Sequence, residues 1–275
     1  MNVIVLAIQK DFQSARKLGF NTVTKLEGHI EDYEDTVVIR YGSSYLLRDM
    51  LGNIRDYQNT VNSAKSIRDN CRNKDFTLKR ISKIVKTPKI WTCNEEVPRG
   101  IHVVYRPTHH TQGEHFRVLD GGFMVQPGFY ATQWIQTEKE FRVWFVNNGQ
   151  NCNFLIARRF SQKPEENNKQ FKCRSLWSYN FIKNGGFEIL KSKVKSISDL
   201  LGIEFGAVDV LSKDGTYYFL ECNTAPSIDY PILEEFFTKG IKGILDTKFK
   251  HLEEQPEPQP QQQNQQKFNY RHFFN

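Results

Sequence analysis

Apolar residues along this chain recur mostly in short runs or at alternate positions, and at helical spacing in three stretches. Asn2 to Ile8 and Thr36 to Tyr41 are β-like runs flanking a mixed segment that contains Gly19 and Gly28, the pattern of a small α/β lobe whose second strand is closed by Gly42-Ser43-Ser44. From Asn62 to Val85 the apolar positions Ile67, Phe76, Leu78, Ile81, Ile84 and Val85 predict two helices split near Asn70 to Asn73, with Pro88 stopping the second. Ile101 to Tyr105, Phe116 to Leu119, Gly128 to Ile135, Phe141 to Val146 and Phe154 to Ile156 then read as strands, with Asn147-Asn148-Gly149 as a hairpin turn. Ser161 to Lys172 is polar and reads as a mobile loop. Val194 to Leu201 predicts a short helix ended by Gly202, a strand pair follows at Phe205 to Leu211 and Tyr217 to Asn223, and a helix runs from Ile232 to about Leu245.

Beyond His251 the chain turns to Gln, Pro, Glu and Asn, a composition too polar to offset chain entropy, so a disordered tail is expected. Its aromatic end, Phe268 to Phe274, is a candidate docking peptide for a protein partner, or a loosely adhering terminus. With 275 residues, 39% hydrophobic and 25% charged, the chain is an ordinary globular one able to form one large core or a few lobes. No apolar run reaches the roughly 20 residues of a membrane span. The opening Val3 to Ile8 lacks a basic flank and a cleavage site, so it reads as a first strand and a cytoplasmic location is expected, the host's if the protein is viral.

The net charge of +7 is dispersed, which suits anionic ligands such as nucleotide phosphates and makes nucleic acid a less direct reading. Five scattered cysteines with no C-x-x-C pair argue for reduced thiols, not a disulfide framework or zinc site. His109, His110 and His115 lack an acidic partner and are read as loop histidines near phosphate.

The densest chemistry lies in Phe205-Gly-Ala-Val-Asp209 and Tyr217-Tyr-Phe-Leu-Glu221-Cys-Asn223-Thr-Ala-Pro226. Period-two alternation puts Glu221 and Asn223 on one face, with Leu220 and Cys222 on the other. Asp209 opposes Glu221 only if the connecting loop has an odd number of residues, as Asp214-Gly215-Thr216 would provide. Asp, Glu and Asn together form a hard oxygen set suited to Mg²⁺, the alternative being a solvated hairpin face.

These two segments resemble the magnesium-binding end of the ATP-grasp ligases, whose pattern is an Asp followed about a dozen residues later by Glu-x-Asn-x-x-Pro. The similarity runs in order over residues 36 to 240 and is nearest to small phage-type members and to the glutamate ligases that modify ribosomal proteins. It implies an α/β chain with the ATP-grasp fold. The corresponding parts are a pre-ATP-grasp lobe at 1–72, a small lid subdomain at 73–133, a large subdomain with the Mg²⁺ site at 134–250, and a Gln/Pro-rich tail at 251–275.

Carried over residue by residue, the resemblance assigns Asp209, Glu221 and Asn223 to the metal. Glu140-Phe141-Arg142-Val143 is similar to the family's Glu-Tyr-Arg-Val, in which the acid receives a ribose hydroxyl and the Arg faces phosphate or the acyl group. Gln133, Trp134 and Ile135 fall at the hinge that clasps adenine through backbone groups. Arg106, on Val103-Val-Tyr-Arg-Pro107, stands where most members have Lys, and Gly113 marks the loop that covers the phosphates. Asn62-Ser-Ala with Lys74 matches the helix-and-Lys pair ahead of the lid. Arg158 and Arg159 fall where a basic residue meets the acyl phosphate, and Asn180 with Gly185-Gly186 matches a segment near the metals.

The activity this implies is ATP-dependent joining of a carboxylate to an amine through an acyl phosphate. Lys74, Arg106 and Arg142 would neutralise phosphate, with Arg158 or Arg159 stabilising the tetrahedral oxyanion. ATP and two Mg²⁺ ions, or Mn²⁺, are the expected cofactors; the partners are a carboxylate and an amine borne by an amino acid, peptide or protein terminus. Two rival readings are a kinase that stops at a phosphorylated acceptor, and a scaffold or nucleic-acid-binding protein with a degenerate nucleotide site.

Overall fold

The computed structural model describes residues 1–70, 73–108, 117–137, 139–161, 177–182 and 185–252. Gly113, the three loop histidines, most of the loop read at Ser161 to Lys172 and the aromatic end of the tail lie outside these residues. No described helix is long and apolar enough to cross a membrane.

The N-terminal part alternates β1 (Asn2–Ala7), α1 (Phe12–Arg16), β2 (Asn21–Val23), β3 (Thr36–Tyr41), β4 (Leu47–Arg48), β5 (Ile54–Arg55) and β6 (Thr60–Val61). A parallel sheet ordered β2-β1-β3-β6 forms its centre, with β4 and β5 as a separate hairpin. β3 is buried at all six positions because both faces of a parallel sheet are covered, which is why its sequence is an apolar run rather than an alternation. One face packs Val38 with Leu6, Leu26, Leu47 and Tyr57, and the other packs Val37, Ile39 and Tyr41 into the large core shared with the rest of the chain.

α2 (Ala64–Asn70) and α3 (Lys74–Ile81) flank the split read between Asn70 and Asn73. Next come β7 (Ile90–Trp91), β8 (Glu96–Val97), β9 (His102–Pro107), β10 (Arg117–Asp120), β11 (Phe123–Met124) and β12 (Phe129–Gln133). β10-β9-β12-β7 make an antiparallel sheet around a small core of Trp91, Val97, Val103, Val125 and Ala131. The two-residue strands were not legible in the sequence, being shorter than any periodicity can register.

The remaining elements are β13 (Lys139–Asn147), β14 (Cys152–Ser161), β15 (Trp177–Phe181), α4 (Glu188–Leu201), β16 (Phe205–Lys213), β17 (Thr216–Asn223) and α5 (Pro231–Lys248). Five strands form one antiparallel sheet ordered β15-β14-β13-β16-β17. α4 begins six residues earlier than read at Val194, and its buried Leu190, Val194, Ile197 and Leu201 form one helical stripe. That stripe packs with Leu78 and Ile81 of α3 onto Phe141, Val143, Phe145, Val208, Val210, Phe219 and Cys222. The opposite face carries Trp144, Val146, Phe205 and Ala207 against α5 and the N-terminal sheet.

The link between β16 and β17 corrects the odd-loop expectation. Two residues, Asp214 at φ 48° and Gly215 at φ 70°, make the turn, which is the left-handed pair a tight hairpin needs. The ladder then pairs Lys213 with Thr216 and Val210 with Phe219, but Asp209 with Glu221, so Leu220 is the extra residue of a β-bulge. The bulge reverses the phase of the strand. Tyr217 and Phe219 pack on the apolar face before it, and Cys222 packs on that same face after it.

Candidate active site

On β13 the even-numbered residues share a face, and the register carries that face across the sheet. Arg142 stands opposite Asp209, Asp209 opposite Glu221, Ala207 opposite Asn223, and Glu140 opposite Arg159. Gly206, on the opposite face of β16, permits close packing there, since a Cβ would lie 2.7 Å from the carbonyl oxygen of Asn223 and 3.3 Å from the Phe145 ring.

The charges interlock. Arg159 Nη1 donates to Glu140 Oε1 at 2.9 Å and lies 4.0 Å from Asp209 Oδ2. Arg142 Nη1 is 3.5 Å from Asp209 Oδ1, and the guanidinium lies over the Trp144 ring at 5.8 Å. Burial opposes the charge on Arg142, yet Asp209, Tyr179 and Glu221 outweigh it, and the guanidinium is held more firmly protonated than usual.

Glu221 receives Lys74 from the first position of α3, with Nζ 3.1 Å from Oε2. Burial pushes the Glu221 carboxyl up, but Lys74, then Arg106 and Arg142, overcome this and bring it down to about 2. Arg106 lies over the ring of Tyr130, its cross-strand partner, at 5.5 Å, and burial raises the Tyr130 hydroxyl.

Asp209 Oδ1 is buried and accepts no hydrogen bond among the described residues, with Arg142 3.5 Å away as its ion-pair partner, which leaves it a lone pair for a closer cation. Asn223 Oδ1 accepts from the Ala225 amide at 3.0 Å and keeps a second lone pair. No group of three or more His, Cys, Asp or Glu able to hold a metal occurs among the described residues. The donor set is two carboxylates and an amide, which fits Mg²⁺ shared with phosphate oxygens better than a cage made by protein alone.

The residues named from the sequence separate into those on this face and those elsewhere. Asp209, Glu221, Asn223, Glu140, Arg142, Arg159 and Lys74 come together, and Arg106 acts on Glu221 from β9. Arg158 and Asn180 do not join them: they pair with each other on the opposite face, where Arg158 also stands opposite Phe141, and both are exposed. Adjacent strand residues point to opposite faces, so only one of Arg158 and Arg159 can reach the cluster. Gly185 and Gly186 are exposed beyond β15. At the hinge, the amides of Gln133 and Trp134 donate to the Lys89 and His102 carbonyls at 2.8 Å. Asn62 is buried, its side chain bonding the backbone of Glu204 and Phe205, which makes it an anchor of β16.

Sequence reading missed Tyr179 and Tyr130. Tyr179 pairs with Arg159 and hydrogen-bonds Arg142, and its neighbour Asn180 necessarily faces the other way. The alternation of β15 was the signal.

No family model matches the chain, and no curated protein sequence matches it. Solved structures do. D-alanine–D-alanine ligase from Bacillus anthracis superimposes over 92% of this chain and 99% of its own with a TM-score of 0.61 at 14% identity. The ATP-grasp ligase PsnB, solved with a minimal precursor, covers 88% of this chain and 98% of its own, with a TM-score of 0.60 at 13% identity. N5-carboxyaminoimidazole ribonucleotide synthetase from Thermotoga maritima covers 89% and 76%, with a TM-score of 0.56 at 12% identity.

The chain has the ATP-grasp fold. In ATP-grasp terms the charged row lies on one face of the large antiparallel sheet, with β9 and β12 of the smaller sheet bringing Arg106 and Tyr130 to it.

Proposed function

We propose that this protein is an ATP- and Mg²⁺-dependent carboxylate–amine ligase that activates a carboxylate as an acyl phosphate and passes the acyl group to an amine. The observation that carries the reading is the registered row of Glu140–Arg159, Arg142–Asp209 and Asp209–Glu221, with Asn223 beside it and Lys74 and Arg106 arriving from other elements.

Phosphoryl transfer to a carboxylate needs alignment and charge neutralisation and no protein nucleophile. Lys74 and Arg106 would hold the phosphates. Asp209, Glu221 and Asn223 would hold Mg²⁺, which supplies Lewis-acid neutralisation of phosphate oxygens when bound. Arg142 is locked charged by its partners and would orient the acyl oxygen, while Arg159, the arginine on the cluster face, is the candidate donor to the tetrahedral oxyanion. Glu140 keeps Arg159 in place.

PsnB and the macrocyclase MdnC from Microcystis aeruginosa were solved with precursor peptides. Together with the resemblance to phage-type members and to ribosomal-protein glutamate ligases, this favours a peptide or protein terminus as one substrate. The test is acceptor-dependent ADP release across a panel of amino acids and peptides, with the product identified by mass spectrometry. An amide product supports the ligase, whereas a phosphorylated acceptor with no amide assigns a kinase. Saturating MgATP should also raise the melting temperature by mass action. No shift at millimolar nucleotide would remove every ATP-dependent reading.

A further inference from the structure

Four cationic side chains surround the two candidate metal carboxylates, and they are not equivalent. Arg142 and Arg159 are rooted in β13 and β14; Arg142 is 9% exposed, stacked on Trp144 and bonded to Tyr179. Arg106 is rooted in β9 against Tyr130. Lys74 comes from a helix outside these sheets, on a flexible four-carbon stem, with 18% of its side chain exposed against 27% for Glu221.

Its position is unfavourable for a cation by local rules. Lys74 is the first residue of α3, where the helix macrodipole repels positive charge, and Asn73 before it makes no side-chain capping bond. Asp75 in the same turn offsets the helix dipole, and Glu221 supplies the charge that meets the ammonium directly. The helix itself is held by Leu78 and Ile81 in the core with Phe219, so the side chain can change partner while α3 stays.

We propose that Lys74 is a built-in counter-cation, neutralising Glu221 in the nucleotide-free protein and competing with the divalent metal for it, so that arrival of metal releases Lys74 to the nucleotide phosphates. This rests on the ligase reading of the same site. An ammonium 3.1 Å from Glu221 Oε2 competes with a divalent cation for the same carboxylate, because the two positive charges repel at short range in a mostly buried setting. In exchange, the metal brings the phosphate that Lys74 next needs. The lysine therefore makes bare metal binding weak and joint binding of metal and nucleotide strong.

The experiment measures Mn²⁺ binding by electron paramagnetic resonance, without nucleotide, for the wild type, Lys74→Met and Lys74→Arg. Lys74→Met should bind Mn²⁺ about tenfold tighter or more, and Lys74→Arg near the wild-type value, since the effect follows the charge. With a non-hydrolysable ATP analogue the order should reverse, Lys74→Met binding the nucleotide more weakly than the wild type. A second measurement needs no variant: acetylation of Lys74, read by mass spectrometry on the wild-type protein, should speed up when Mg²⁺ is added alone and slow again when the analogue follows. Equal Mn²⁺ affinity in wild type and Lys74→Met, or a Lys74 acetylation rate insensitive to Mg²⁺, overturns the proposal while leaving the ligase reading standing. Absence of Mn²⁺ binding in all three proteins, with and without the analogue, overturns both.

Discussion

The two faces of the five-stranded sheet are built from the same strands and do opposite things. On one face Phe141, Val143, Phe145, Val208, Val210, Phe219 and Cys222 meet α3 and α4 in an unbroken apolar layer. On the other, the same strands present Glu140, Arg142, Arg159, Asp209 and Glu221 at one end and Trp144, Val146, Phe205 and Ala207 at the other. Buried charges are a poor source of stability, because desolvation offsets much of their attraction. The apolar face supplies what the charged face cannot, and the charged groups are held in position by strands whose other side is anchored. A single residue separates the two roles on every strand, which makes register the property that matters.

The largest expected effect falls on the apolar face. Phe219→Ala should cost about 3–5 kcal/mol in unfolding free energy, measured by chemical denaturation, while the folded fraction keeps its nucleotide affinity. A loss below about 1 kcal/mol would mean that this face does not anchor the sheet.

On the charged face the balance inverts. Glu221→Gln should lower acceptor-dependent ADP formation by about 10²-fold or more while the protein still folds, at a stability cost of about 1–3 kcal/mol because Lys74 loses its partner in a mostly buried pair. A mutant turning over at the wild-type rate would break the functional half of the comparison.

Deleting Leu220 sharpens it. Removing the bulge residue leaves Val210 opposite Phe219 and Asp209 opposite Glu221 in a regular ladder, so the charged face should survive at a cost of about 1–2 kcal/mol. Retention of the MgATP-induced melting shift is the readout. Its loss at near-normal stability would show that the strand had slipped.

The smallest effect concerns Cys152, which packs at the margin of the apolar face. Burial pushes its thiol up to about 12. A raised thiol pKa means the protonated form persists, leaving roughly one thiolate in ten thousand at pH 8. Of Cys93 and Cys152, iodoacetamide should label exposed Cys93 first, with the Cys152 rate climbing with pH throughout the alkaline range. Rapid labelling at pH 8 would place Cys152 outside the apolar layer.

The elements legible in the sequence are those with enough residues to show a period. β1, β3, β13, β16, β17, α3 and α5 were legible within a few residues, as was the turn at Asn147 to Gly149. α4 was read short because its first turn, Glu188 to Lys191, presents an exposed Ile189 beside the buried Leu190 and blurs the stripe. The candidate site was legible as residue types at a spacing: two carboxylates and an amide on a hairpin, basic residues on the strands alongside.

What the sequence determined by itself is chemistry and local period: which residues carry charge, which segments extend or coil, and that Glu221 and Asn223 project together. Tertiary structure decided the pairings. The sequence allowed a three-residue loop to set Asp209 against Glu221, and the protein reaches the same apposition with a two-residue turn and a bulge at Leu220. It also left Arg158 and Arg159 equivalent, where packing of Phe141 into the core sends Arg158 to the opposite face and Arg159 to Glu140. The physical reason is common to both cases. Alternation within a strand is a local property of its backbone, whereas which face is buried, and which residue absorbs a shift of register, is set by contacts with helices distant in the chain.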